Sequence, residues 1–331
     1  MKTDILHIAQ ENLEKIIPFR LKIGEGKFNG HNGNRVDGRV ELYLGDEVLD
    51  FMVQVKKEVR THQLPRIYAL AETHKPFLLV AGQIFPRIKE KLKEKGINWL
   101  DAAGNMYIKT DNHFLFIEQN EVYELEVEKD RAFTKTGLKV LFLFLQDEKW
   151  LNKTYREIAD AANVALGTIG YVINGLKKRN YLVKKDAKNN KIVRKEELID
   201  EWIGAYETEL KPKLRKGTFT FIDEEGTQNW KELTLTEQAV WGGEGAADLL
   251  TGMIRPQELT LYTTQAKGEL MKEYRLKPDP NGFVKVYEPF WKMEGKENTA
   301  PPLVVYADLI LTGDERNFKI AEQIYAEFLQ A

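Results

Sequence analysis

The sequence predicts an α+β chain of several domains, and three observations carry that class. Apolar residues recur at helical spacing at Leu138, Leu141, Phe142 and Leu145. Elsewhere they follow strand spacing, as over residues 36–44 and 48–55. The length, 331 residues, exceeds what one core usually fills, so two or three domains are expected.

Residues 1–130 mix helices and strands in an α/β layer. An opening helix covers roughly residues 5–17, and 36–44 and 48–55 form a hairpin about Gly45-Asp-Glu47. A helix around 64–73, the wholly apolar run Phe77-Leu-Leu-Val80, a helix over 86–95 and a strand around Trp99 follow. A strand with no polar face, set between helices, suggests a parallel pair. Gly24-Glu-Gly26 and Asn29-Gly-His-Asn-Gly33 read as a mobile loop, and Asp101-Ala-Ala-Gly-Asn105 reads as a tight turn rather than a ligand site.

The hairpin places Asp37 at one strand end, facing Gln54 and Lys56, which lie two apart and so share a face. This is the pattern of the PD-(D/E)xK, restriction-endonuclease-like fold, in which acids hold Mg²⁺ and the lysine aligns the attacking water. Asp37 would be the metal ligand, and Glu14 or Glu11 on the opening helix would add a carboxylate. Gln54 stands where a second acid is usual, as it does in Mrr-like restriction enzymes, which this segment resembles. A neutral amide is a poorer Mg²⁺ ligand, and Asp37 before Gly38 also suits a plain turn. A nuclease-like fold without catalysis is therefore favoured over an active enzyme.

Residues 131–196 read as a winged helix-turn-helix. Thr154-Tyr-Arg-Glu157 is a capping box that opens a second helix through Ile158, Ala159 and Ala162. Asn163 ends it where the chain must turn sharply, a position that tolerates the left-handed conformation. A third helix buries Ile169, Val172, Ile173 and Leu176, and two short strands follow around Lys188-Asn-Asn190. From 176 to 195 there are nine basic residues against Asp186 alone, whereas 118–130 is acidic (Glu118, Glu121, Glu124, Glu126, Glu128 and Asp130). The cations fall where phosphates of double-stranded DNA would lie, which favours DNA over a merely solvated charge run or a protein contact.

The residues expected to meet DNA are Thr168, Tyr171, Asn174, Lys177, Lys178, Arg179, Lys184, Lys185, Lys188, Lys191 and Arg194. Thr168 and Tyr171 suit a thymine methyl or a phosphate, and Asn174 suits an adenine. With Gly167 and Gly170 on its exposed side, the third helix predicts phosphate and shape contacts more than a rich base code.

Residues 197–331 form a further α/β region. A helix over 197–210, strands at 217–222, 258–264 and 283–287, the run Leu303-Val-Val-Tyr306 and a helix over 315–330 are expected. Trp241-Gly-Gly-Glu-Gly-Ala-Ala-Asp248 has the Gly-rich turn of a phosphate cradle, but no Asp-x-Asp pair follows it, so a tight turn into a helix is favoured. The chain has no cysteine and five scattered histidines, which argues against disulfides and a His-rich metal site. Neither a membrane span nor a signal peptide is expected, so the chain reads as cytoplasmic.

Leu78-Leu-Val-Ala81, Ile97-Asn-Trp-Leu-Asp-Ala-Ala-Gly-Asn-Met-Tyr-Ile108, the 131–196 region, Trp241-Gly-Gly-Glu-Gly-Ala-Ala247 and Leu303-Val-Val-Tyr-Ala-Asp-Leu309 together resemble the transcriptional regulators grouped with the AbiEi antitoxins of type IV toxin–antitoxin systems. The resemblance implies a winged helix that represses its own operon, and a C-terminal region that opposes a nucleotidyltransferase-like toxin without binding it. Better-known members carry the winged helix at the N-terminus, whereas here it follows the nuclease-like segment. The favoured reading is a DNA-binding regulator of antitoxin type, homodimeric because such modules bind paired half-sites, with no cofactor. Its rival is a Mg²⁺-dependent nuclease delivered to DNA by the winged helix, using Asp37, Gln54, Lys56 and Glu14. A third reading is an interaction protein that contacts only protein.

Overall fold

The computed structural model describes residues 2–17, 20–23, 36–118, 131–186, 189–223, 226, 228–293 and 297–330. The expected loop at 24–33, the acids from Glu121 to Asp130, and Lys188 lie outside the described residues. The architecture is mixed α+β with several sheets, in two compact units, Met1–Glu128 and Lys129–Ala331. Among the described residues no helix is long and apolar enough to cross a membrane.

The first unit runs α1 (Lys2–Ile16), β1 (Arg20–Ile23), β2 (Gly38–Leu44), β3 (Glu47–Val59), α2 (Leu64–Thr73), β4 (Phe77–Ile84), α3 (Pro86–Glu94), β5 (Asn98–Asp101), β6 (Met106–Lys109) and β7 (Phe114–Ile117). The strands form one sheet in sequence order, with β3, β4 and β5 parallel and the remaining neighbours antiparallel. Alternation along the strands makes two cores. Val53, Val55, Val80 and Leu100 pack with Ile5, Ala9 and Leu13 of α1, while Leu79, Ala81 and Trp99 pack with Ile67, Leu70, Ile88 and Leu92 of α2 and α3. Both faces are covered, which is why β4 shows no polar period.

The Asp101–Asn105 turn locks α1 to this sheet. The Asp101 carboxylate accepts from the backbone N–H of Ala103 (3.0 Å) and Asn105 (2.9 Å) and from the Asn105 amide (3.0 Å). Lys89, buried like Asp101, sits 3.0 Å from the same carboxylate and neutralises it. The Asn12 amide of α1 donates to the Ala102 carbonyl at 2.7 Å. Gly104 has φ +84°, and a Cβ there would stand 2.7 Å from Ile16 Cδ1 and 3.1 Å from the Asn12 backbone.

The second unit begins with α4 (Lys135–Gln146), α5 (Tyr155–Ala162), α6 (Leu166–Lys178) and a two-stranded ribbon, β8 (Leu182–Lys184) with β9 (Asn190–Ile192). Helix α7 (Lys195–Ala205) continues through a π-helical turn, Tyr206–Leu210, into α8 (Lys211–Leu214). Then come β10 (Arg215–Phe221), β11 (Ala239–Gly242), α9 (Gly243–Thr251), β12 (Leu259–Thr263), α10 (Lys267–Glu273), β13 (Leu276–Pro278), β14 (Val284–Tyr287), α11 (Pro302–Ile310) and α12 (Glu315–Ile324). The sheet order is β11-β12-β14-β10-β13, with β12 and β14 parallel. The run Leu303-Val-Val-Tyr306 lies in α11, a helix buried from Leu303 to Ile310 and opened by Pro302.

One buried core joins the three helices to this sheet. Trp202 of α7 donates its indole N–H to the Leu138 carbonyl of α4 at 2.9 Å and stacks on Tyr206 at 4.9 Å. Phe142 of α4 packs edge-on against Phe290, with centroids 5.0 Å apart. The chain segments 131–196 and 197–331, separate in the sequence reading, therefore share side chains in one apolar cluster.

Because Gly104 combines a left-handed φ with a close approach to α1, Gly104→Ala is expected to lower stability by about 2–4 kcal/mol. Urea denaturation followed by tryptophan fluorescence measures it, and a midpoint equal to wild type would refute the docking role of the turn.

Candidate functional site

The surface formed by α5, α6 and the ribbon gathers most of the expected contact residues. Thr154 caps α5 as its sequence implies: its hydroxyl accepts from the Glu157 N–H at 3.3 Å, and Glu157 accepts from the Thr154 N–H at 2.8 Å. These bonds with Thr154 hold the Glu157 carboxyl below its usual pKa. Asn163 takes the left-handed conformation (φ 50°, ψ 58°), and the Val164 N–H returns to the Ala159 carbonyl at 3.0 Å. The chain thus turns at once from α5 into α6, whose core face is Ile169, Val172, Ile173 and Leu176.

The opposite side of α6 is open. Tyr171, Asn174, Lys177 and Lys178 are exposed and Thr168 is half-buried. The ribbon is anchored by Leu182 and Ile192 in the core and by the Asn190 N–H, which donates to the Asn152 side chain at 2.9 Å. Its outer residues Lys184, Lys185 and Lys191 are exposed, and Asp186 closes the turn by accepting from the Asn189 N–H and amide, both at 2.8 Å. The one acid of the basic run thus folds the ribbon back on itself.

Two of the expected contacts have partners within the protein. Arg179 is ion-paired with Glu201 of α7 and lies over the Phe133 ring at 4.7 Å. Arg194, at φ 54°, donates to the Arg179 carbonyl, lies 3.3 Å from Glu197 and covers the Tyr181 ring at 4.4 Å. Tyr181 in turn donates to Glu201 at 3.0 Å, and burial raises its pKa. This cluster pins the ribbon to α7. Arg131 was not singled out in the sequence. Its guanidinium stacks 4.4 Å from the Tyr171 ring on α6, a contact across 40 positions (171 minus 131) that no local pattern announces.

In the first unit Asp37 and Gln54 do meet. The Asp37 carboxylate accepts from the Gln54 amide at 2.6 Å and from the Val55 N–H at 2.7 Å, and the Asp37 N–H donates to Val53 at 2.7 Å. Asp37 thereby clamps the start of β2 to β3. Gln54 is buried and Lys56 half-buried on the strand side opposite Val53 and Val55. Helix α1 packs on Val53 and Val55, so Glu14 lies across the sheet from Gln54 and Lys56; it is exposed and accepts from Gln10 at 3.1 Å. The structure thus brings Asp37 to Gln54 but does not bring Glu14 to them. Among the described residues no three His, Cys, Asp or Glu side chains group so as to hold a metal ion.

The Gly-Gly turn at the start of α9 already has its anion, and the anion is internal. The buried Asp308 carboxylate of α11 accepts from the Gly243 N–H at 3.2 Å, from the Tyr262 hydroxyl at 3.0 Å and from the Lys211 ammonium at 2.8 Å. Tyr206 and Tyr262 share a hydrogen bond of 2.9 Å, and burial together with the Asp308 charge raises both phenol pKa values. Burial works against the Lys211 charge, but Asp308 outweighs it and holds the lysine above its ordinary pKa. Farther along α9, Glu244 accepts from Arg316 (2.9 Å), the Asn317 amide (2.7 Å) and the Gln257 N–H (2.6 Å), and Asp248 pairs with Lys231 at 2.7 Å. The Gly-Gly-x-x-Ala-Ala-Asp pattern is thus the inner seam of the fold.

Residues 191–330 match the family described as transcriptional regulator, AbiEi antitoxin, type IV toxin–antitoxin system. No curated protein and no solved structure gives a match. The matched stretch contains α7, the second sheet, the Gly-Gly turn and Asp308, and stops short of α4, α5 and α6.

Lys211→Met leaves Asp308 buried without its cation and is expected to cost about 3 kcal/mol. Since the folded pKa of Lys211 lies above the ordinary 10.5, its contribution is complete below that pH and disappears as pH rises through the folded value. The melting difference between wild type and variant should therefore be constant from pH 6 to about pH 9 and shrink in stronger alkali. Calorimetry across that range checks it, and a difference absent at neutral pH would refute the pairing.

Proposed function

We propose, from the match of residues 191–330 to the AbiEi antitoxin regulators of type IV toxin–antitoxin systems, that the whole chain is a DNA-binding regulator that represses its own operon. In this reading α4, α5, α6 and the β8–β9 ribbon are a winged helix-turn-helix, α6 enters the major groove and the ribbon is the wing. The observation that carries it is the placement of cations: Lys177 and Lys178 end α6, and Lys184, Lys185 and Lys191 line the ribbon, all exposed on the side away from the core. Phosphate contacts come from these lysines, while Thr168, Tyr171 and Asn174 approach the bases. Arg179 and Arg194 act by holding the wing to α7. The protein works in the cytoplasm as a homodimer on paired half-sites, and its C-terminal sheet counters a nucleotidyltransferase-like toxin.

The rival nuclease reading retains one observation, the meeting of Asp37 with Gln54 two residues before Lys56. Two others weigh against it: Asp37 already takes hydrogen bonds from Gln54 and Val55, and Glu14 sits on the other sheet face. Plasmid incubation with Mg²⁺ or Mn²⁺ is expected to give no nicking; nicking by wild type that Lys56→Ala abolishes would establish the nuclease instead.

Titration of the DNA upstream of its own gene at several salt concentrations tests the main reading. Affinity should fall steeply with salt, and Lys184→Ala with Lys185→Ala should weaken binding and reduce the log–log slope by about 1–2. An affinity that ignores salt would overturn the proposal.

A further inference from the structure

The exposed start of α6 is apolar, although the surface around it is cationic. Leu166 and Tyr171 are both 51% exposed. Between them Gly167 and Gly170 have nothing within 4 Å of where a Cβ would stand. Over Leu166-Gly-Thr-Ile-Gly-Tyr171 there is no Arg, Lys, Asn or Gln, the side chains that read guanine or adenine by paired hydrogen bonds. The first amide is Asn174 and the first cation Lys177, and α6 carries no acid. Arg131 stacks on the Tyr171 ring, with its guanidinium 4.4 Å from the centroid, so one face of the ring already has a partner.

Resting on the DNA-binding reading above, we propose that this helix reads thymine: Leu166 and Tyr171 are specificity-determining residues that pack on C5-methyl groups in the major groove. A polyanion is the partner that fits both features. Lysines on the helix end and ribbon neutralise its phosphates, while the two glycines leave the backbone free to come close to the base edges. Thymine is the base that offers an apolar group in the major groove. Leu166 precedes the residues that a hydrogen-bonding code would select, and its exposure is what identifies it.

The test uses the full chain and a duplex that wild type enriches from a random-sequence pool. That duplex is resynthesised with deoxyuridine in place of thymidine, which removes the methyl groups and leaves every hydrogen-bonding edge intact. Affinity is expected to fall by roughly fourfold for each contacted methyl. Leu166→Ala and Tyr171→Ala, both at exposed positions, should each lose part of the preference, the double variant should bind the two duplexes with nearly equal affinity, and Tyr171→Phe should retain the preference. Circular dichroism of each variant confirms that it is folded. Equal binding of thymidine and deoxyuridine duplexes by wild type overturns the thymine reading and leaves DNA binding standing. A preference undiminished in the double alanine variant overturns the assignment to Leu166 and Tyr171. Failure to retain any duplex, even at low salt, overturns both this inference and the reading on which it rests.

Discussion

The second unit depends on one buried carboxylate. Asp308 joins the backbone at the start of α9, the hydroxyl of β12 and the ammonium of α8, so three chain segments remote in sequence converge on its two oxygens. A carboxylate in an apolar interior is tolerated only when its hydrogen bonds are complete and its charge is matched. Lys211 supplies the charge; Gly243 and Tyr262 supply neutral donors. The requirement propagates outward. A Cβ at Gly242 would stand 2.5 Å from the Tyr262 ring, and Gly243 takes φ +49° with Thr260 pressed against it. The two glycines are therefore consequences of bringing a strand, a helix start and an acid to one point. The same geometry explains why the turn is not a phosphate cradle, since the helix N-terminus already faces a negative charge.

From that point rigidity extends toward α6. Tyr206 hydrogen-bonds Tyr262 and stacks on Trp202, and Trp202 is bonded to the Leu138 carbonyl of α4. Phe142, Phe290 and Trp291 fill the remaining space with rings whose centroids are 5.0–6.3 Å apart. Interiors packed this way transmit displacement because they have no slack to absorb it. The helices proposed to hold DNA and the sheet matched to the antitoxin regulators are thus one mechanical body, and any ligand that favoured a different packing of the sheet would act on α4 through these rings.

What the sequence disclosed follows the range of each interaction. The Thr154–Glu157 box, the Asn163 turn and the spacing of Ile169, Val172, Ile173 and Leu176 are local, and each stands in the structure where its pattern placed it. The hairpin at Gly45 and the parallel pairing of β4 with β5 were also legible, because strand period and an unbroken apolar run are local signals. Longer-range relations were not. Lys211 and Asp308 lie 97 positions apart, and neither is distinguishable in sequence from any solvated charge. The run at 303–306 has the composition of a strand and lies in a helix because Pro302 starts one and the apolar stretch continues to Ile310. Charge counts also do not reveal that Glu201 and Glu197 of α7 come back to meet Arg179 and Arg194.

That last point changes what the basic run means. Among its described cations, the two arginines and the five exposed lysines of α6 and the ribbon are two populations with opposite requirements. The arginines are paired or stacked on aromatic rings, a use suited to a planar, weakly hydrated guanidinium. The exposed lysines of the α6 end and ribbon are strongly hydrated point charges on flexible stems, suited to phosphates whose exact position varies. A surface built this way gains affinity from cations that specify nothing, so selectivity has to come from whatever touches the bases. On α6 that leaves two glycines, a threonine, an asparagine and two exposed apolar side chains. Under the thymine proposal the discrimination is between a methyl group and its absence, a small difference per base that becomes decisive only when the same helix meets several sites at once. The proposed homodimer would set two copies of α6 on one stretch of DNA, so that a weak code is read twice.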